Sequence, residues 1–325
     1  MTVTRRAGLL SALAAIGAGR AARAADMAVT LLIGSPAGSA VDRTGRGAAA
    51  CLGEHLPGMA LSVRNLPGEA GWTMLAALSQ APADGATIGW VSTPGLVARM
   101  IDRRDPDLMQ RLQLVGQVER EPVVFVSPAR DPVDSVPDII RRAADDADAV
   151  PLATPPPGSP PHLTALRLQA LAQTRLSIVT FPSSAAAAQA VLAGNVSAAA
   201  LGLSEVIDAI RDGNLAAIGV AARRRFGLLP DTPVLNEAGI PLSAFIGRGI
   251  AVPAGTPIDV VARLADGLRA VAADEAFQEV VRPSGYHLAW KDGATWRAEA
   301  DAQRAVLTKL WETDPWLSSS GAGAG

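Results

Sequence analysis

A single cysteine, Cys51, rules out an internal disulfide. It falls inside a helical apolar pattern, where a thiol serves as a small buried hydrophobe. The three histidines, His55, His162 and His287, are scattered, and no His-x-x-x-His or Cys pair has metal-ligand spacing. Neither a metal nor any other cofactor is therefore expected. There is no Gly-x-Ser-x-Gly nucleophile elbow. Gly45-Arg46-Gly47-Ala48-Ala49-Ala50 fits a relaxed dinucleotide fingerprint, but it lies past the end of a strand and within a helical pattern. Its glycines cannot form the phosphate turn there. No apolar run is long enough to span a bilayer. Aromatic residues make up only 4% of the chain, and the many alanines point to closely packed α/β layers.

What is present begins with an export leader. Arg5-Arg6 form a charged start, Ala7–Gly17 an apolar small-residue stretch, and Ala22-Arg23-Ala24 a small-x-small cleavage pattern. Residues 1–24 therefore read as a secretory signal. The paired arginines resemble a twin-arginine signal, with Gly8 at the position usually held by Phe, and both export routes stay open. The leader carries four of the 29 basic side chains and none of the 31 acidic ones, so its removal leaves a formal charge of −6. Nucleic-acid binding needs a basic field, which this chain lacks. A periplasmic monomer is expected, and the polar, glycine-rich residues 318–325 read as a disordered tail.

Between these ends, strand-like and helical runs alternate. Strands are expected at Val29–Ile33, Leu61–Val63, Thr87–Val91, Val123–Val126, Pro151–Ala153, Leu176–Phe181, Val196–Leu201 and Leu215–Val220. Helices are expected from Ala40 and over Trp72–Gln80, Pro137–Ala144, His162–Ala172, Ala185–Ala193 and Glu205–Arg211. The alternation predicts an α/β fold of parallel sheets covered by helices on both faces. Crossovers around Gln117–Glu121 and Arg223–Leu229 divide the chain into a discontinuous first lobe, 27–120 with 229–317, and a second lobe, 121–228. This is the layout of type II periplasmic binding proteins, two doubly wound lobes around a ligand cleft, with ligands held at the carboxyl ends of strands.

Five strand-to-helix junctions share one composition: Ser35–Ser39, Ser92–Gly95, Thr154–His162, Pro182–Ser184 and Gly202–Ser204. Their hydroxyls and backbone amides suit a carboxylate without any Arg. Taken singly, each is equally an ordinary helix cap. Ser39-Ala40-Val41-Asp42 is a capping-box pattern, and Asp42 reads as a cap or structural anchor. Pro160 and Pro161 remove two donors from the third junction. An anion there would rely on the Gly158 and Ser159 amides and the Ser159 hydroxyl, with His162 as a ligand contact or a packing residue. Ser159 with His162 is also the one pairing that a secreted hydrolase or isomerase could use as nucleophile and base.

Longer segments then carry a family resemblance over Val29–Trp311. Val29–Asp42 supplies an opening strand, a glycine loop and an Asp. Asn65-Leu66-Pro67-Gly68-Glu69-Ala70-Gly71, Pro82-Ala83-Asp84-Gly85-Ala86-Thr87-Ile88, and Gly158-Ser159 with His162-Leu163 follow in order. Leu229-Pro230-Asp231-Thr232-Pro233-Val234-Leu235-Asn236-Glu237-Ala238-Gly239 and Val252-Pro253-Ala254-Gly255-Thr256-Pro257 complete the set. Together they resemble the substrate-binding proteins of tripartite tricarboxylate transporters, the Bug family.

The resemblance implies a two-lobed extracytoplasmic receptor, not an enzyme, that closes on a small carboxylate-bearing solute. Such a receptor delivers to a membrane permease of that transporter type or to a sensor protein. It implies ligand contacts at Ser35, Ala37, Gly38 and Ser39 in the first lobe, and at Gly158, Ser159, His162, Phe181, Ser183 and Ser184 in the second. The chain departs from the family pattern at four places. Ser39 stands where relatives carry Gly, Phe181-Pro182-Ser183 replaces Tyr-Lys-Gly, Glu69-Ala70 replaces Ala-Gly, and Ala86 replaces Tyr. A site this short of positive charge predicts a mono- or dicarboxylate, or a less charged solute, rather than citrate.

Overall fold

The computed structural model describes residues 27–130 and 132–317. The expected leader and tail lie outside the described residues. Chain order runs β1 (Met27–Ile33), α1 (Ala40–His55), β2 (Met59–Asn65), α2 (Trp72–Ser79), β3 (Thr87–Thr93), α3 (Gly95–Asp102), α4 (Leu108–Arg111) and β4 (Leu112–Pro128). It continues through α5 (Val136–Asp145), β5 (Leu152–Thr154), α6 (Pro160–Ala172), β6 (Ile178–Thr180), α7 (Ser184–Leu192), β7 (Ala198–Gly202), α8 (Leu203–Arg211) and β8 (Leu215–Val220). The last elements are β9 (Phe245–Pro253), α9 (Ile258–Ala273), α10 (Glu275–Val281), β10 (His287–Asp292) and α11 (Gly293–Thr313). None of the described helices is long and apolar enough to cross a membrane.

Two half-sheets share β4. In the first, β1 lies parallel to β2 and β3, while β9 runs antiparallel between β3 and β4, with β10 antiparallel on β4. In the second, β5 lies parallel to β6 and β7, and β4 pairs antiparallel with β7 and β8. The wholly parallel sheets expected from the alternation are thus corrected to mixed ones. The βαβ units are parallel as expected, and the two long strands that join the halves are antiparallel.

Packing follows the sequence pattern. Val29, Leu31 and Ile33 alternate along β1 and bury against Leu52, Leu264 and Leu268. In β7 the run Ala198-Ala199-Ala200-Leu201 is buried throughout. Such small side chains on both faces allow α6 and α7 to approach the sheet closely. Each fully buried Leu, Val or Phe in these cores contributes about 1.5–3 kcal/mol.

Several elements have no expected counterpart, among them α3, α9, β10 and α11, and the two strands that cross between the halves are the most telling. The expected strand Val123–Val126 is one end of the 17-residue β4, and β9 had no expected counterpart. Buried Gln117, Glu119 and Glu121 interrupt the apolar run of β4, and Arg248 interrupts β9. The second crossing also moves. Leu229 and Val234 pack with Val124 and Val126, and Leu235, Ile240 and Leu242 pack with Val123 and Phe125. Residues 229–242 therefore belong with the second half-sheet by packing. The chain returns to the first through β9 rather than near Arg223–Leu229. At the crossing, Val123, Ala221 and Ala244 are linked by backbone hydrogen bonds of 2.9–3.2 Å.

Candidate functional site

A cleft of about 700 Å³ lies between the halves, and all five junctions contribute to its lining. The starts of α1, α3, α6, α7 and α8 therefore border one cavity, with the positive ends of their dipoles and their uncapped amides nearby.

Two of these starts are built alike. Gly38 and Gly158 both have left-handed φ values, +79° and +74°. The serine after each is the helix N-cap, at φ −66°, ψ 163° for Ser39 and φ −68°, ψ 154° for Ser159. Each glycine N–H turns back to a side chain four residues on. Gly38 donates to Asp42 Oδ2 at 2.8 Å, and Gly158 donates to His162 Nδ1 at 3.3 Å. A side chain at Gly158 would collide with the Arg99 guanidinium.

The anchors differ in charge. Asp42 is buried, which disfavours its charge. Hydrogen bonds from Arg46, Asn65 and the Gly38 N–H nevertheless hold its carboxyl below the usual range. His162 is also buried, and that burial, with the nearby Arg99 cation, pushes its pKa down to about 4. It is neutral at pH 7, and its Nδ1 serves as acceptor.

The hydroxyls differ too. Ser39 Oγ accepts the Asp42 N–H at 3.2 Å and donates to Ser35 Oγ at 3.0 Å. Ser159 accepts no capping hydrogen bond, although the His162 N–H three residues on is present, and its buried Oγ has no partner among the described residues. In the first loop the Gly38 and Ser39 amides are committed to Asp42 and Pro36, while those of Ser35 and Ala37 have no acceptor among the described residues. Ser183 Oγ accepts the Ala186 N–H at 3.1 Å as the cap of α7.

Of the ten expected contacts, Ser35, Ala37, Gly38, Ser39, Ser159, Ser183 and Ser184 line the cleft. Gly158, His162 and Phe181 do not. Gly158 and His162 are buried beneath the loop, bonded to each other, and Phe181 packs against the core of the second half. The structure also brings in residues the sequence reading missed, namely Trp90, Glu121, Glu205 and Arg248. A polar residue within a buried strand is the signal that could have found Glu121 and Arg248, since such a charge persists only when paired.

Arg248 on β9 joins both Glu119 and Glu121 of β4, and Glu121 Oε2 also accepts the Ser204 N–H at 2.9 Å. Burial, with the Glu121 charge adding and Arg248 opposing, pushes the Glu119 carboxyl up to about 7. At the other end, Arg99 ties the two walls together. Its Nη1 donates to Glu69 O at 3.1 Å and its Nη2 to Pro157 O at 3.0 Å, while Asp102 balances its charge. Ser159 Oγ and His162 make no hydrogen bond, so the nucleophile–base pair that a hydrolase would need is not formed.

Away from the cleft, Cys51, His55 and Asp274 bring one ligand atom each within 4.8 Å of the others. Both Asp274 oxygens are already engaged, one capping α10 and one on His55. Burial and neighbouring carboxylates raise the thiol to about 11. The cluster is explained as the Asp274 cap of α10, hydrogen-bonded to His55.

The model of the tripartite tricarboxylate transporter family receptor matches residues 45–297. A UPF0065 protein of Bordetella bronchiseptica is 27% identical over 287 residues, covering 88% of this chain and 85% of that protein. Among solved structures, Rpa4515 of R. palustris with adipate superposes with a TM-score of 0.80 at 24% identity, over 88% of this chain and 96% of that one. MatC of Rhodopseudomonas palustris with bound malate gives 0.76 at 21% identity, over 87% and 98%. With most of its length matched by the family model, the chain belongs to the tripartite tricarboxylate transporter receptor family.

Proposed function

We propose that this receptor captures a small carboxylate-bearing solute in the periplasm and passes it to a membrane permease of the tripartite tricarboxylate type. The observation that carries this reading is the convergence of five helix starts on one cleft between two half-sheets. Free amides at Ser35 and Ala37 and the orphan hydroxyl of Ser159 supply donors for a carboxylate. Adipate and malate in the two Rhodopseudomonas relatives are small carboxylates of the size this cavity takes.

Closure is a hinge motion about the crossings of β4 and β9. Its moving bodies are 27–120 with 243–317, and 121–242. Binding draws the open form toward the closed one, because only the closed form offers both walls. A thermal-shift and calorimetric screen of organic acids on the mature chain tests this. A ligand at about 100 times its Kd adds about 2.7 kcal/mol of stability, with no turnover. If no acid raises Tm, the receptor reading falls. Tight citrate binding without monocarboxylate binding would overturn the preference for a solute of low charge.

A further inference from the structure

The cleft holds an acid that forms no ion pair with any described residue. Three carboxylates line it: Glu69, Glu121 and Glu205. Glu69 pairs with Arg103 near the rim, and Glu121 pairs with Arg248 at the floor. Arg248 is the one basic side chain in the described lining, and it is already divided between Glu119 and Glu121. Glu205, in the first turn of α8, makes no ion pair with any described residue. Burial and the Glu121 charge both work against its ionised form, with Arg248 and Arg43 in weaker opposition. A first-turn acid is commonly explained by the helix dipole. Here, however, the Ser204 N–H of that turn is already taken by Glu121.

The opposite character prevails elsewhere in the cavity. The Ser35 and Ala37 amides and the Ser159 hydroxyl await an acceptor. Trp90, 3% exposed and part of the lining, has an indole N–H with no acceptor among the described residues. The cavity is thus dipolar, with donors on its walls and an uncompensated carboxylate beside its floor. A dicarboxylate whose far end reached Glu205 and Glu121 would meet like charge. A protonated amine there would make charge-assisted hydrogen bonds.

We infer that the solute carries an ammonium group as well as its carboxylate, and that Glu205 recognises that ammonium. This rests on the receptor reading above. Glu205 sets the ligand class, selecting amino acids over the corresponding simple acids. Ser184, adjacent to the carboxylate, helps hold it in place.

The test is calorimetry on the mature full chain with acids matched by carbon skeleton: glutarate and glutamate, butyrate and 4-aminobutyrate, valerate and 5-aminovalerate. The expected result is that at least one amino member binds about tenfold or more tightly than its simple partner. Glu205→Gln should abolish that preference and leave the simple acid bound as well or better. Because Glu205 makes no ion pair among the described residues and Gln can keep the contact with Ser184, the variant should melt no lower than the parent. Simple acids binding as tightly as their amino partners in the parent protein would overturn the inference while leaving the receptor reading intact. An equal loss for both members in Glu205→Gln would also overturn it, since Glu205 would then act as a closure latch to Arg43. Failure of every acid to bind would remove the receptor reading itself, and this inference with it.

Discussion

The loops Gly34–Ser39 and Pro155–His162 use one design for two purposes. Each places a left-handed glycine before an N-cap serine and returns the glycine N–H to a side chain four residues later. In the first loop that side chain is an ionised Asp42 tied to Arg46 and Asn65, and Ser39 spends its hydroxyl on its own helix. In the second the anchor is a neutral His162, and two prolines accompany a serine whose hydroxyl is unspent. An approaching carboxylate therefore meets a fixed negative charge behind one loop and none behind the other. Local backbone geometry is shared, and chemistry is set by what satisfies the loop from beneath.

The largest effect should come from removing the charged anchor. Asp42→Ala strands the Gly38 N–H and removes one of the hydrogen bonds of Asn65 and of Arg46, and should cost about 3 kcal/mol of stability by urea denaturation. A loss below about 1 kcal/mol would show that the two loops do not depend on their anchors.

His162 should act through pH. Its pKa is depressed from 6.5 to about 4. Its contribution is thus present above pH 6.5 and lost as pH falls through 4, a swing of up to about 3 kcal/mol. Glu119 has the opposite sign. Raised from 4.5 to about 7, its contribution is present below pH 4.5 and lost as pH rises through 7. Parent and His162→Asn stability curves measured from pH 4 to 7.5 cancel the Glu119 part. Their difference should shrink with acidification. A constant difference would mean that His162 titrates alike in the folded and unfolded chain, and a growing one that it is protonated in the fold with both anchors charged.

These features differ in how far the sequence revealed them. The five junctions were legible because hydroxyl-bearing caps are local chemistry, and all five meet at the cleft. The parallel βαβ units were legible from period alone. The crossing strands were not. Glu119 and Glu121 are buried in β4 where Arg248, more than a hundred residues away in sequence, pairs with both. Hydropathy along the chain cannot register a charge cancelled at that distance. The same cause hid the floor of the site and displaced the second crossing to β9. The pairing of His162 with the Gly158 N–H is local, four residues apart, but the burial and the nearby Arg99 charge that keep the ring neutral come only with the fold.

Exchanging the serines gives smaller, crossed effects. Ser39→Ala should lose about 1 kcal/mol of stability as a cap is removed, with ligand affinity little changed. Ser159→Ala should leave Tm in place and weaken binding about fivefold, because its hydroxyl serves no helix. The reverse pattern would mean that Ser39 is the ligand contact and Ser159 the structural residue.

The smallest effect tests the loop that Arg99 grips from the first wall. Ala70 sits at φ +53° and Glu69 at φ +50°, in a region that favours glycine. The family pattern that this chain resembles has glycine at the Ala70 position. Ala70→Gly relieves about 1 kcal/mol of left-handed strain, and the freer unfolded chain returns about half of that. The expected result is a Tm unchanged or slightly raised, with calorimetric affinity preserved. A clear fall in affinity without a fall in Tm would assign the Ala70 methyl to the ligand surface. The strained residue would then be shaping the solute site.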